Sequence, residues 1–186
     1  MIMKKIGFFP GSFKPLHRGH YLSILSMCER VDELHVLMSV KNRGELSGLA
    51  CKRYVERYVA PTLPNVVFDY VDGSPVGEMY RMIEELDVAG GVNVYLFAGV
   101  EDAGARYRPE ALSKNFPNLM KANKIHVDVL QPIGNTRTGC RGHKRISGTD
   151  TRAYLAEGNR VKLREALPDI SLVQNNINKI IELFTS

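Results

Sequence analysis

Short apolar runs alternate with longer amphipathic stretches over the first 130 residues of the chain. The runs have the length and composition of buried strands and lie at 6–10, 33–40, 65–71, 92–99 and 125–132. Apolar residues at helical spacing fall between them, at 20–31, 47–60 and 77–86. This alternation predicts an α/β fold, a doubly wound parallel sheet with helices on both faces. No linker divides the chain, which predicts a single domain over 1–186 whose C-terminal part, about 149–186, is helical and interrupted near Gly158 and Pro168.

Composition restricts the partners and the compartment. The chain carries 25 Lys and Arg against 20 Asp and Glu, and this net charge of +5 favours anionic partners such as nucleotides and phosphorylated metabolites. Its three cysteines include no CxxC pair, so neither a zinc site nor a disulfide framework is indicated. No apolar run approaches the roughly 18 residues of a membrane span, and the N-terminal run is too short for a signal peptide. We therefore expect a reduced, cytoplasmic chain without a membrane partner.

The stretch GSFKPLHRGH follows the first predicted strand and opens the first helix. In open parallel sheets, ligands bind beyond the carboxyl ends of the strands. Gly11 and Ser12 would let backbone N–H groups approach a phosphate, and a helix starting near His17 would add its positive end. His17 and His20 share one helical face, and Gly19 leaves room for a ligand. The stretch therefore predicts a polyphosphate site. Two histidines without chemistry are the alternative, which the complete pattern GxFxPxHxGH disfavours.

A second candidate phosphate site, ISGTDTR, starts the helical C-terminal part. Ser147 and Thr149 place hydroxyls at a helix start, and Arg152 lies one turn further along, within reach of an anion bound there. Taken alone, this pattern is equally typical of an ordinary helix cap beside a surface arginine. The preceding loop, 132–145, favours the phosphate interpretation because it is basic and rich in glycine. Its glycines predict a loop that closes over a triphosphate through Arg141, Lys144 or Arg145.

The two stretches resemble the HxGH and ISSTxxR signatures of the nucleotidyltransferase superfamily. The resemblance extends from the first strand to about residue 160 and implies a Rossmann-like fold. It also implies direct transfer of AMP from ATP to a small phosphorylated acceptor, with release of pyrophosphate and no covalent enzyme intermediate. In that mechanism Mg²⁺ accompanies ATP and bridges phosphate oxygens, with few protein ligands of its own.

The resemblance also assigns roles to individual residues. The catalytic set is His17 on the triphosphate, His20 on the α-phosphate and Arg152 on the β- and γ-phosphates. Gly99 and Asp102 resemble the family's GxD element after the fourth strand. The full nucleotide-binding set comprises Gly11, Ser12, Phe13, Gly19, Gly99, Asp102, Ser147 and Thr149.

The acceptor is less sharply defined by the sequence. The motif wording is most similar to nicotinamide mononucleotide adenylyltransferases, although the chain has no Trp and carries Lys14 where relatives often have Asp or Gln. Lys14, Lys41 and Arg43 are the candidate acceptor ligands, and a solvated basic loop is the alternative for the last two. Tyr95, Phe97 and Tyr107 are candidates for ring stacking, the first two being more typical of core.

Other functions stay open at this stage. They are phosphopantetheine adenylyltransferase activity, cytidylyltransferase-like activity, and a catalytically silent nucleotide-binding module. A nucleic-acid partner is disfavoured because basic and aromatic residues do not interleave. The sequence is also compatible with a homo-oligomer.

Overall fold

The computed structural model describes residues 3–130 and 146–186. Five strands lie close to the predicted positions: β1 (Lys4–Gly11), β2 (Glu33–Ser39), β3 (Val66–Val71), β4 (Val92–Ala98) and β5 (Ile125–Val129). They form one parallel sheet in the order β3–β2–β1–β4–β5. The helices are α1 (Arg18–Cys28), α2 (Gly48–Tyr54), α3 (Pro75–Ala89), α4 (Val100–Arg106), α5 (Pro109–Asn115), α6 (Pro117–Lys121), α7 (Gly148–Ala156), α8 (Arg160–Ala166), α9 (Ser171–Gln174) and α10 (Ile177–Thr185). The predicted α/β class with a parallel sheet is confirmed.

The described residues fall into two compact units that interleave along the chain. The sheet unit comprises 3–11, 26–38 and 65–130, and it contains nearly all of the strand residues. The helical unit comprises 12–25, 39–64 and 146–186. None of the described residues lies in a helix both long and apolar enough to span a bilayer.

The sheet is buried on both faces. One face packs against α3 in a core that includes Ile6, Phe8, Leu96 and, from α3, Met79 and Ile83. On the other face the backbone at Gly7 is covered closely, since an added Cβ would lie 2.7 Å from the Phe97 ring and 3.0 Å from Leu34. Burial on both sides explains why these strands read as continuous apolar runs rather than alternating ones.

Three helices of the sheet unit were not predicted. Between β4 and β5 the chain forms α4, α5 and α6, of 7, 7 and 5 residues. Segments this short do not complete enough turns for helical periodicity to appear. Pro109 and Pro117 lie at the starts of α5 and α6, where proline suits a first helical turn, and they were the available signal.

The predicted helix at 47–60 is composed of three segments in the helical unit: α2, a π-helical turn at Val55–Val59 and a 3₁₀ turn at Ala60–Thr62. Ser47 is its N-cap and accepts from the Ala50 N–H at 3.2 Å. An added Cβ at Gly48 would lie 1.8 Å from the Val40 carbonyl oxygen. Only glycine therefore lets α2 begin directly against the segment that leaves β2.

Candidate active site

The first motif forms the start of α1, with His17 as its N-cap. The His17 carbonyl accepts from the Tyr21 N–H at 3.0 Å. Its ring Nδ1 accepts from two further backbone donors of the first turn, Gly19 N–H at 3.1 Å and His20 N–H at 3.4 Å. An imidazole here does what a Ser or Asp side chain does at most helix starts.

His20 completes a reciprocal arrangement. Its Nδ1 accepts from the His17 backbone N–H at 3.3 Å, so each histidine side chain binds the backbone of the other. This is the geometry of a capping box, whose two members must be three residues apart. The spacing of His17 and His20 is therefore explained by helix capping before any ligand is considered.

The acceptor role of both Nδ1 atoms determines the tautomers. A neutral imidazole that accepts at Nδ1 carries its proton at Nε2. The two rings stack with centroids 3.6 Å apart and an interplanar angle of 19°. Burial, and secondly the neighbouring His17, hold the pKa of His20 well below its usual value, so His20 is neutral near pH 7. His17 is buried, whereas His20 is partly exposed.

Phe13 lies behind the second histidine. It is buried, and its ring meets the His20 ring edge-on, at 5.0 Å and 86°. Its backbone has φ 50, a left-handed conformation that is uncommon for a bulky residue. The packing orients the His20 ring, and the predicted contact of Phe13 with the nucleotide stays a prediction. Ser12 is exposed beside it.

Lys14, a predicted acceptor ligand, is buried within the first motif. It is only 3% exposed, and its ammonium donates to the carbonyls of Ser12, at 3.2 Å, and of Ser39. Burial lowers the pKa of the Lys14 ammonium. Two backbone carbonyl oxygens therefore accept from the ammonium, and the role of Lys14 as a substrate ligand stays a prediction.

The second motif caps α7. The Ser147 hydroxyl accepts from the Asp150 N–H at 3.1 Å and donates to the Asp150 carboxylate at 2.9 Å. The hydroxyl expected on a phosphate thus makes both of these hydrogen bonds within the first turn of α7. The Thr149 hydroxyl is exposed and accepts from Arg152 Nη2 at 2.9 Å.

The two motifs are joined through Arg152. Its Nη1 donates to the Lys14 carbonyl at 2.8 Å. An added Cβ at Gly148 would lie 3.2 Å from Arg152 Nη1 and 3.4 Å from that same carbonyl oxygen. Glycine at the position where ISSTxxR has serine thus leaves room for this contact. Burial, and then the charge of Arg43, lower the pKa of the Arg152 guanidinium.

Arg43 is the candidate acceptor ligand that lies near these motifs. It forms a tight turn with Leu46 through backbone bonds of 3.0 and 3.1 Å, around Gly44 at φ +60. Arg43, Thr149 and Arg152 line one cavity of about 740 Å³ in the helical unit. Its apolar wall includes Leu46, Leu155 and Phe184. Lys41 lies two residues before this turn and is exposed.

Gly99 and Asp102 belong to the sheet unit. Gly99 is the N-cap of α4, directly after β4, and Gly11 ends β1, the parallel neighbour of β4. Both glycines therefore lie at the carboxyl edge of the sheet. Asp102 is exposed and pairs with Arg106 at 3.5 Å. Of the candidate stacking rings, Phe97 and Tyr107 are buried core residues, while Tyr95 packs against His126.

The predicted closing loop at 132–145, with Arg141, Lys144 and Arg145, lies outside the described residues.

Solved structures resemble this chain, whereas no protein-family model and no curated protein matches it in sequence. A candidate nicotinate-nucleotide adenylyltransferase from Vibrio parahaemolyticus superposes with a TM-score of 0.59 at 17% identity, over 99% of this chain and 100% of that one. The Plasmodium falciparum nicotinic acid mononucleotide adenylyltransferase, complexed with APC, gives 0.55 at 14% identity, over 98% of both chains. The chain has the nucleotidyltransferase fold.

A third structure with this fold comes from Francisella tularensis. It is a bifunctional NMN adenylyltransferase/ADP ribose pyrophosphatase complexed with AMP and a Mn ion. It superposes with a TM-score of 0.58 at 14% identity, over 97% of this chain and 50% of that one. At these identities the likeness is one of fold.

Sequence reasoning missed residues that shape the second motif and the segment after β2. Asp150 was detectable, because Ser147 followed three residues later by an acid is a capping-box pattern. Gly148 and Gly48 were not, because their importance depends on which atoms approach them in three dimensions.

Proposed function

We propose that the chain transfers AMP from ATP to a small phosphorylated acceptor, nicotinamide mononucleotide, and releases pyrophosphate. The observation that carries this proposal is the Arg152–Lys14 contact, which joins the second motif to the loop leading to His17 and His20. Donors suited to phosphate oxygens thereby belong to one compact unit. Neighbours in fold that are named for nicotinate or NMN adenylyl transfer support the acceptor class.

The reaction is an in-line displacement. A phosphate oxygen of the acceptor forms a bond to the α-phosphorus of ATP, and the bond from that phosphorus to the bridging oxygen of the β-phosphate breaks. Pyrophosphate leaves with the electron pair. His20 donates from Nε2 to an α-phosphate oxygen, where charge builds in the transition state, and His17 donates to the triphosphate. Because their capping bonds orient both rings beforehand, the donors need little reorganisation during the reaction.

Arg152 binds the β- or γ-phosphate. A guanidinium has five N–H donors, and the bonds to Lys14 and Thr149 use one each on Nη1 and Nη2. These two bonds hold the planar group in place, so the remaining donors can form bidentate hydrogen bonds with phosphate oxygens. Ser147 contributes by fixing the start of α7 rather than through a free hydroxyl.

Mg²⁺ enters with ATP as part of the substrate. Among the described residues, no group of three or more His, Cys, Asp or Glu could hold a metal ion. The motifs instead present imidazoles that donate from Nε2 and a guanidinium, which suit phosphate oxygens. An ion that arrives bound to ATP would need few protein ligands and would offset phosphate charge beside these donors.

Arg43 binds the phosphate of the acceptor, and Lys41 assists it. Arg43 and Arg152 line one cavity together with Glu45, so two cations and one carboxylate adjoin the space that the acceptor's phosphate would enter. Burial, and then the charge of Arg43, lower the pKa of Arg152, and an anion between the two cations would relieve the second of these effects.

Pyrophosphate release tests the proposed function. We expect release when ATP is combined with nicotinamide mononucleotide. We expect weaker release or none when CTP replaces ATP, or when nicotinate mononucleotide or phosphopantetheine replaces nicotinamide mononucleotide. A double variant, His17→Ala with His20→Ala, is the matched inactive control. ATP binding without pyrophosphate release for any acceptor would identify a silent nucleotide-binding module and overturn the proposal.

A further inference from the structure

The Lys14 ammonium contacts backbone carbonyls from two separate segments. Nζ donates to the carbonyl of Ser12, which begins the loop towards His17. It also donates to the carbonyl of Ser39, which ends β2 and begins the segment that carries Arg43. One buried side chain thus joins the nucleotide segment (12–20) to the acceptor segment (39–46).

The backbone of Lys14 adds a third connection. Its carbonyl accepts from Arg152 Nη1, so the same residue contacts both motifs and the segment after β2. Within the helical unit, Lys14 is therefore bonded to every segment that the proposed function uses there.

We propose that Lys14 is a positioning residue that holds the nucleotide and acceptor segments in register through its ammonium. An ammonium leaves water only where oxygen acceptors replace its hydration. Removing the ammonium would leave the two carbonyls without this donor and release the segments from each other. The roles of the two segments rest on the proposed function, but the bonds that join them do not.

The neighbouring Cys51 does not supply a counter-ion for this ammonium. Burial raises the pKa of the Cys51 thiol to about 11, so the thiol is neutral at physiological pH. The carbonyl oxygens of Ser12 and Ser39, rather than a thiolate, therefore hold the charge of Lys14.

The test compares Lys14→Met, which keeps the length and loses the donors, with Lys14→Arg, which keeps charge and donors. In the protein without ligand, we expect amide hydrogen exchange in 12–20 and 39–46 to be about tenfold faster or more in Lys14→Met. Turnover should fall by a similar factor, and Lys14→Arg should recover part of both. Lys179→Met, an exposed charge removal on α10, is the matched control and should change neither.

A direct substrate ligand would give a different result. Unchanged exchange in the free Lys14→Met variant, with only the KM for one substrate raised, would overturn the positioning role. If Lys14→Met does not fold, the same measurements are made on Lys14→Gln, whose side chain is shorter. If the wild-type chain releases no pyrophosphate, the exchange comparison in the free proteins still decides the role of Lys14. Failure of the proposed function is thereby separated from failure of this inference.

Discussion

His17 and His20 use their two ring nitrogens for different purposes. The Nδ1 atoms accept the backbone hydrogen bonds that start α1, and the Nε2 atoms carry the protons that the proposed reaction needs. Since each ring also packs against the other, its orientation is determined before a substrate binds. Removing one ring therefore affects helix stability and phosphate binding together, and a test of catalysis must separate the two effects.

Replacing His20 should reduce turnover far more than ATP affinity. We expect His20→Ala to lower kcat by roughly 10²–10³-fold, the scale for removing one donor at developing charge. His20→Asn should lose as much activity while keeping more stability, because its amide oxygen can accept from the His17 N–H. Steady-state kinetics, ATP titration calorimetry and thermal unfolding provide the comparison. His126→Gln removes a histidine outside both motifs and should leave turnover unchanged. Wild-type kcat in His20→Ala would exclude the assigned role.

At the scale of elements, strand β2 carries an ionic ladder across three strands. His35 Nδ1 lies 2.7 Å from the Asp69 carboxylate of β3, and Nε2 lies 2.8 Å from Glu33. Glu33 in turn pairs with Lys4 of β1 at 2.7 Å. The hydrogen bond to Asp69, more than the other contacts, raises the pKa of His35. The ladder therefore stabilises the sheet while His35 is protonated.

This shift predicts a pH dependence of stability. The folded protein keeps a proton on His35 above pH 6.5, where the unfolded chain releases it, so the stabilisation is complete below 6.5 and is lost as the pH rises through the folded pKa. Denaturant unfolding from about pH 6 to about pH 9 should show wild-type stability falling towards that of His35→Gln. A constant difference between the two proteins over this range would contradict the shift.

The same scale shows what the sequence could and could not predict. The five strands and their parallel arrangement could be predicted from apolar runs, because strands buried on both faces are apolar along their whole length. Helices α4 to α6 were missed because they are too short to be periodic. In the site, the two motifs could be identified from their residue types and spacing, but the burial of Lys14 could not be predicted. Its position depends on the Ser39 carbonyl, which is distant in sequence.

For the whole molecule, both motifs and the segment after β2 belong almost entirely to the helical unit, while the strands belong to the sheet unit. A ligand held by the helical unit binds the folded chain and not the unfolded one. Ligand binding should therefore appear as added global stability.

ATP should stabilise the chain more than AMP does. At about 100 times its Kd, ATP should add about 2.7 kcal/mol to the unfolding free energy. AMP at the same concentration should add much less, because it lacks the phosphates that Arg152 pairs with. Arg152→Lys should lose much of the ATP increment, since an ammonium cannot form the fork, and leave the AMP increment unchanged. Arg160→Lys, an exposed position on α8, is the matched control. If ATP and AMP add equally to the unfolding free energy, binding of the terminal phosphates by Arg152 is excluded.

The reciprocal capping of His17 and His20 limits which residues this loop accepts in engineering. Serine at 17 with glutamate at 20 would rebuild the usual capping box and preserve the helix, yet it would place a carboxylate beside the phosphates. Lysine at either position would attract phosphate but could not accept the backbone N–H bonds. Among the natural side chains, the imidazole combines an acceptor on one side with a donor on the other in one rigid ring. A library randomised at both positions and selected only for folding should therefore return many capping pairs, whereas selection for activity should return histidines.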